Sequence, residues 1–285
     1  MKKVAIVTDS TACLQEQSIK GYPIFVLPLQ VIWSDQIYLD GIDIQPTEFY
    51  QRLKTAKVTP STSQVTPGAF IELYTRLLAE DYDILSILIS SKLSGTMDSA
   101  IQAKSHFPGA KIELVDSKNT AMALGFQVLS VARSAALGAT IEECKAIVED
   151  SIPNVGALFT VSTLEFLHRG GRIGGAAAFL GTALNLRPIM ELRDGKIEAI
   201  ERVRTTSKAI DRLLDLMVER IGHRTPVRIA GLHADSLEEV KIMVDRVRDR
   251  FNVSDISEIV ISEVSPVIGT HTGPGTLGFA YMAGK

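Results

Sequence analysis

The sequence predicts an α/β protein of two domains, and three features of its apolar pattern lead there. Through residue 151, compact apolar runs of strand length alternate with stretches of helical periodicity. That is the grammar of βαβ units and a mostly parallel sheet flanked by helices. After about residue 155 the pattern changes. Asp194-Gly195 between two extended runs is the strongest hairpin signal in the chain. Two amphipathic stripes follow, Ile210, Leu213, Met217 and Ile221, then Leu237, Val240, Val244, Val247 and Phe251. The expectation is a first domain over residues 1–155 and a second, with a mixed or antiparallel sheet and helices, over residues 156–285. No linker between them is long enough to let them move freely.

The elements follow in order. Residues 4–7 are an apolar strand that gives way to polar Thr8-Asp9-Ser10-Thr11. Residues 24–32 read as a second extended stretch, where Pro28 argues for an edge or a bulge. Pro46 opens a short helix, and residues 67–80 form a longer one with Phe70, Leu73, Tyr74 and Leu77 at helical spacing. Residues 83–90 are the clearest buried strand, 94–107 a helix, 111–115 a strand and 120–137 a long, largely apolar helix. Thr140 with Glu143 is a capping-box pattern opening a helix to Ser151. Residues 155–161 read as a strand. Arg169-Gly170-Gly171-Arg172-Ile173-Gly174-Gly175 is a glycine-dense break, with a helical stretch after it to about Leu186. Residues 188–192 and 196–203 flank the hairpin turn, and strands at 227–231 and 258–263 complete the second sheet. Ser236 with Glu239 caps the helix between those two strands.

Composition narrows the function. Of 285 residues, 46% are hydrophobic and 22% charged, an ordinary globular balance. A net charge of -3 supplies no global positive field, so neither nucleic acid nor an anionic membrane is an expected partner. No apolar run reaches the roughly 18 residues of a membrane-spanning helix, and the four-residue apolar start is too short for a secretion signal. Cys13 and Cys144 lack metal-ligand or redox spacing, which fits a reducing compartment, so the cytoplasm is expected. His106, His168, His223 and His233 show no ligand spacing, and no metal site is expected.

Three polar, small-residue segments interrupt the apolar pattern: Thr59-Pro60-Ser61-Thr62-Ser63-Gln64, Ser90-Ser91-Lys92-Leu93-Ser94-Gly95-Thr96 and Gly269-Thr270-His271-Thr272-Gly273-Pro274-Gly275. The second joins the best strand to a helix. Unpaired N–H groups at such a helix start suit an anion, and the carboxyl ends of parallel strands are where open α/β sheets bind ligands. Ser94 adds a hydroxyl; it serves equally as a helix cap. Thr62 belongs either to a ligand site or to a capping and turn cluster. His271, in a Gly/Pro-rich loop, can donate to a carboxylate, act as a base or be an ordinary loop residue. Arg169 and Arg172 flank two glycines and suit a phosphate or a carboxylate-bearing partner, or a solvated hinge. A hydrolase or transferase built on Ser94 and His271, with Asp9 orienting the histidine, is the competing reading. No G-x-S-x-G elbow, phosphate loop or dinucleotide fingerprint supports it.

Six motifs together are similar to the DegV family: Thr8-Asp9-Ser10-Thr11, Ser61-Thr62-Ser63-Gln64 with Pro67, Ser94-Gly95-Thr96, Arg169-Gly170-Gly171-Arg172-Ile173, Leu186-Arg187-Pro188-Ile189, and the segment from Gly269 to Gly275. The resemblance covers about residues 3–283; Cys13 departs from it, standing where an acidic residue is common. It implies a two-domain α/β lipid-binding protein that carries one long-chain fatty acid, without cofactor or catalysis of its own. Its better-understood members resemble the substrate-carrying partner of a fatty acid kinase. By the same resemblance Thr62, Ser94 and Gly95 hold the carboxylate, and His271 with Thr272 closes over it. Arg169 and Arg172 resemble a basic pair near the mouth for a partner or phosphate. An apolar tunnel is then required, and Phe159, Phe166, Phe179, Leu180, Leu184 and Ile189 are apolar enough to line it.

Overall fold

The computed structural model describes residues 2–181 and 186–285. β1 (Lys3–Asp9) is buried from Val4 onward, which explains an unbroken apolar run in place of an alternating one. The short α1 (Glu16–Ile19) returns the chain to β2 (Ile24–Leu27), parallel to β1. β3 (Gln30–Trp33) and β4 (Gln36–Leu39) then pair as a hairpin. The single stretch expected over residues 24–32 is therefore two strands in different sheets. The break falls at Pro28, which has no N–H to offer a ladder.

α2 (Pro46–Leu53), β5 (Ser61–Ser63) and α3 (Pro67–Ala79) follow, and a proline pre-set for helical φ opens each helix. β5 completes a three-stranded antiparallel sheet, β4-β3-β5, that the sequence did not foretell; its Ser-Thr-Ser content carries no strand signal. β6 (Tyr82–Leu88), α4 (Thr96–Lys104) and β7 (Ile112–Asp116) complete a parallel sheet in the order β2-β1-β6-β7. α5 (Ala121–Ala136) and α6 (Ile141–Ser151) come next, and the Thr140/Glu143 capping box is formed.

The remainder runs β8 (Val155–Thr160), α7 (Glu165–Arg169), β9 (Arg187–Arg193), β10 (Lys196–Val203), α8 (Thr206–Ile221), β11 (Val227–His233), α9 (Leu237–Val247), β12 (Ile256–Glu263), α10 (Pro266–Thr272) and β13 (Leu277–Ala283). Its strands form a mixed sheet, β10-β9-β8-β13-β11-β12, antiparallel except between β11 and β12. Asp194 and Gly195 turn the β9–β10 hairpin with φ of 50° and 81°, as a two-residue primed turn requires. The mixed α/β fold is thus the one expected, with corrections. β13 went unread because Leu-Gly-Phe-Ala-Tyr-Met-Ala is neither alternating nor β-branched, yet it is wholly buried at the sheet's centre. The expected helix before Leu186 is a 3-10 turn over Gly174–Phe179; the rest of that stretch, residues 182–185 with Leu184, lies outside the described residues.

The two sheets share α5. Leu124, Val128, Val131 and Ala132 pack with α6 and the parallel sheet, while Met122, Ala123, Phe126 and Leu129 belong to the core that includes Ala157, Ala230 and Met282 of the mixed sheet. A helix covered this way is apolar nearly all round. Arg228 on β11, 3% exposed, fastens it. Its Nη1 donates to the Phe126 carbonyl (3.3 Å) and Ser130 Oγ (2.7 Å), its Nε to Glu258 (2.8 Å), and its guanidinium lies over the Phe126 ring. Across the mixed sheet, the opposite face (Leu158, Ile229, Phe279) packs under α8 and α9, the period-two consequence of the pleat.

Gly125 lets the segment after β1 approach α5. A Cβ there would lie 2.7 Å from the Ala12 carbonyl oxygen and 2.9 Å from Met122 Sδ. Gly125→Ala gains about 1 kcal/mol of helix propensity. The clash with backbone costs about 1–3 kcal/mol. Net destabilisation in urea denaturation is the expected outcome, and stabilisation would show that this approach is not tight.

Candidate ligand-binding cavity

A cavity of about 1070 Å³, its open mouth included, lies between the carboxyl ends of the parallel strands and the inner face of the mixed sheet. The segments after β1, β6 and β7 reach it with Thr11, Leu93 and Thr120; β8 contributes Ala157 and Phe159, and α10 contributes Val267, Ile268, His271 and Thr272. Its walls are mainly apolar with a few convergent polar groups, the makeup of a small-molecule site.

Thr62 and His271 meet at this wall, Thr62 Oγ1 standing 2.8 Å from His271 Nε2. Thr62 is brought there by β5, paired opposite Val31. His271 rides on α10, not on the loop expected for it, because Pro266 starts a helix that runs to Thr272. The ring's other nitrogen, Nδ1, is buried and has no hydrogen-bond partner among the described residues. It faces Gly170, where a Cβ would collide with the ring and crowd the Phe166 carbonyl oxygen at 3.1 Å, so a side chain there would displace the imidazole. Burial, and then the charge of Arg172, push the His271 pKa down to about 4. The neutral ring carries one proton, and Nδ1 has no partner to fix which nitrogen holds it. In the tautomer protonated at Nε2, that N–H donates to Thr62 and leaves the threonine hydroxyl proton for a ligand.

Ser94 lines the same cavity, and its hydroxyl also accepts the Thr96 N–H (3.3 Å) and contacts Thr96 Oγ1 (2.9 Å). Ser94 thus stands one residue before the N-cap, and it lines the cavity while its hydroxyl meets the first amide of α4. Gly95 is the N-cap of α4; it is not in the lining, and its bare backbone admits the Gln64 side chain. Thr272 lines the cavity while its hydroxyl donates to the Ile268 carbonyl (3.3 Å). The two arginines part company. Arg172 lines the cavity, with Nε donating to the Leu93 carbonyl (3.1 Å) and Nη1 to the Gly170 carbonyl (2.7 Å). Arg169 is exposed, outside the lining, paired with Glu165 and donating to Thr59 Oγ1.

The triad arrangement is not formed. His271 is bonded to Thr62 and Ser94 to Thr96, while Asp9 accepts from Thr11 and from the Ile89 N–H. Of the apolar tunnel candidates, Phe159 lines the cavity. Ile189 packs in the core under α8 and α9, Phe166 lies against Gly273, Phe179 lies beneath Arg202 and Leu180 is 39% exposed. Polar lining residues not assigned to the site from the sequence are Thr11, Ser63, Gln64, Thr120 and Thr276. Thr11 and Thr120 sit just beyond β1 and β7, so the strand-end rule already applied to Ser94 would have found them.

The family model described as DegV matches residues 3–284. The chain is 40% identical over 278 residues to a DegV domain-containing protein of Streptomyces coelicolor, covering 97% of each. It resembles a structure described as fatty acid binding of a DegV family protein from Thermus thermophilus, with TM-score 0.92 and 36% identity over 99% of each chain. It also resembles DegV from Bacillus subtilis, described as a fatty acid binding protein, with TM-score 0.89 and 33% identity over 99% of this chain and 100% of that one.

The His271 pKa gives a signed prediction. The folded group titrates near 4 and its unfolded counterpart near 6.5, so between these values only the unfolded chain takes up the proton. Stability due to this group is complete above 6.5 and is lost as pH falls towards 4. The stability difference between wild type and His271→Gln should therefore shift against wild type as pH drops from 7 to 4.5, read by urea denaturation. A pH-independent difference would contradict a buried neutral histidine.

Proposed function

The chain belongs to the DegV family, and from that premise we propose that it binds a long-chain fatty acid in the cavity and presents it to a partner kinase. The observation that carries the reading is the Thr62–His271 pair set in the wall of an otherwise apolar cavity. A carboxylate needs several hydrogen-bond donors. The Thr62 hydroxyl, Ser94 and the His271–Thr272 end of α10 supply that setting, with Arg172 as the nearby cation and Gly95 behind Ser94, outside the lining. Arg172 is already held by two carbonyls, so it lends positive potential without forming a closed buried ion pair, whose rupture would oppose release. The tail supplies most of the affinity, at about 0.8 kcal/mol per buried methylene.

The chain itself performs no chemistry in this account. A hydrolase would need His271 to take a proton from Ser94, whereas its Nε2 is committed to Thr62. The carboxylate lies between an N-terminal unit, residues 1–155, and a C-terminal unit, residues 156–285, in the cytoplasm. Exposed Arg169 is the residue for the kinase to contact, and Arg172 serves the head group.

Direct binding of a fatty acid and of the matching fatty alcohol tests the reading. Thr62→Ala and Ser94→Ala should each weaken the acid by about 1–2 kcal/mol and leave the alcohol nearly unchanged, as loss of a charge-assisted bond requires. Arg172→Ala should weaken the acid as well, whereas Arg169→Ala should slow only kinase-coupled acyl phosphate formation. Unchanged acid affinity in the Thr62 and Ser94 variants would remove both from the site.

A further inference from the structure

The Thr8-Asp9-Ser10-Thr11 motif at the end of β1 touches no head-group atom of the proposed site except through Thr11, yet it sits in a buried polar network with Asp40. Asp40 is 2% exposed. Its Oδ2 accepts from Ser10 Oγ at 2.6 Å and its Oδ1 accepts the Val267 N–H at 3.2 Å. Ser10 Oγ in turn accepts the Leu29 N–H at 3.1 Å, so its one proton is directed at Asp40. Val267 is the second residue of α10, the helix that carries His271 and Thr272.

The local cap of α10 is unused. Ser265 occupies the N-cap position but makes no side-chain capping bond; its buried hydroxyl stands beside Asp40 instead. A carboxylate 227 residues away takes the buried first-turn amide in its place. A serine cap would stabilise the helix wherever it went. A cap from a distant segment fixes where the helix stands. α10 is only seven residues long, and Val267 and His271 are one turn apart on one face, so a shift at the first amide is passed to the imidazole. Beside this, Asp9 receives Thr11 and Ile89, which line the opposite wall of the cavity.

We propose that Asp40, oriented by Ser10, is a positioning residue for the head-group site: it pins the start of α10 to the segment after β1 and so sets His271 against Thr62. The assignment rests on the fatty-acid reading for its functional consequence, but its structural half is measurable without any lipid.

The test uses Asp40→Ala, with Ser10→Ala as the milder variant should the first fail to fold. Nitrogen-15 NMR of the histidine side chains in the lipid-free protein should show the His271 ring signals displaced towards a ring that has lost its Thr62 partner. The exposed His106 ring should keep its signals. Fatty-acid affinity should fall about tenfold, the loss of one charge-assisted bond, while fatty-alcohol affinity holds. A general loss of stability would lower both ligands together and overturn the proposal, as would unchanged His271 signals. If wild type binds no fatty acid, the functional reading fails, and the His271 signals alone decide whether Asp40 positions the ring.

Discussion

Thr62 and His271 are 209 residues apart in sequence and 2.8 Å apart in space, and much of the architecture serves that approach. β5 delivers the threonine through its pairing with β3. α10 delivers the histidine, held by the Val267 amide bond to Asp40 at its start and by a glycine at position 170 that leaves room for the ring. The hydrogen bond joins a strand of the first half of the chain to a helix of the second, so this pair exists only when the two halves are docked. α5, packed against both, and Arg228, bonded across from β11, hold that docking.

The same geometry favours holding over reacting. His271 is kept neutral by burial, with Nε2 bonded to the Thr62 hydroxyl and not to Ser94. Under the fatty-acid reading proposed above, hydroxyls and a single cation already engaged by carbonyls make a site from which a carboxylate would leave without breaking a buried ion pair. In that reading the apolar walls supply the affinity, and the polar groups fix which end of the lipid is recognised.

Much of this was legible in the residues. Unbroken apolar runs announced the parallel sheet, Asp194-Gly195 announced the hairpin of the mixed sheet, and the strand-end rule pointed to Ser94. Thr62 and His271 were singled out by type and neighbourhood, but their contact was not, since nothing local records a pairing of this range. β13 was missed because its glycine and alanines, chosen for close sheet packing, carry weak strand propensity. The end of α10 was read as a loop because it runs into the glycine- and threonine-rich segment from Gly269 to Gly275; tertiary bonds at its start help to make it a helix. Arg169 and Arg172 looked equivalent on either side of two glycines, and only the turn between them sends one into the cavity and the other to the surface.

The most direct measurement is native mass spectrometry of the protein purified without added lipid, followed by extraction and identification of what it carries. One long-chain fatty acid per chain is the result this account predicts, and its length and unsaturation would define the preference of the cavity. An empty protein that also fails to take up added fatty acids would contradict the account at its centre.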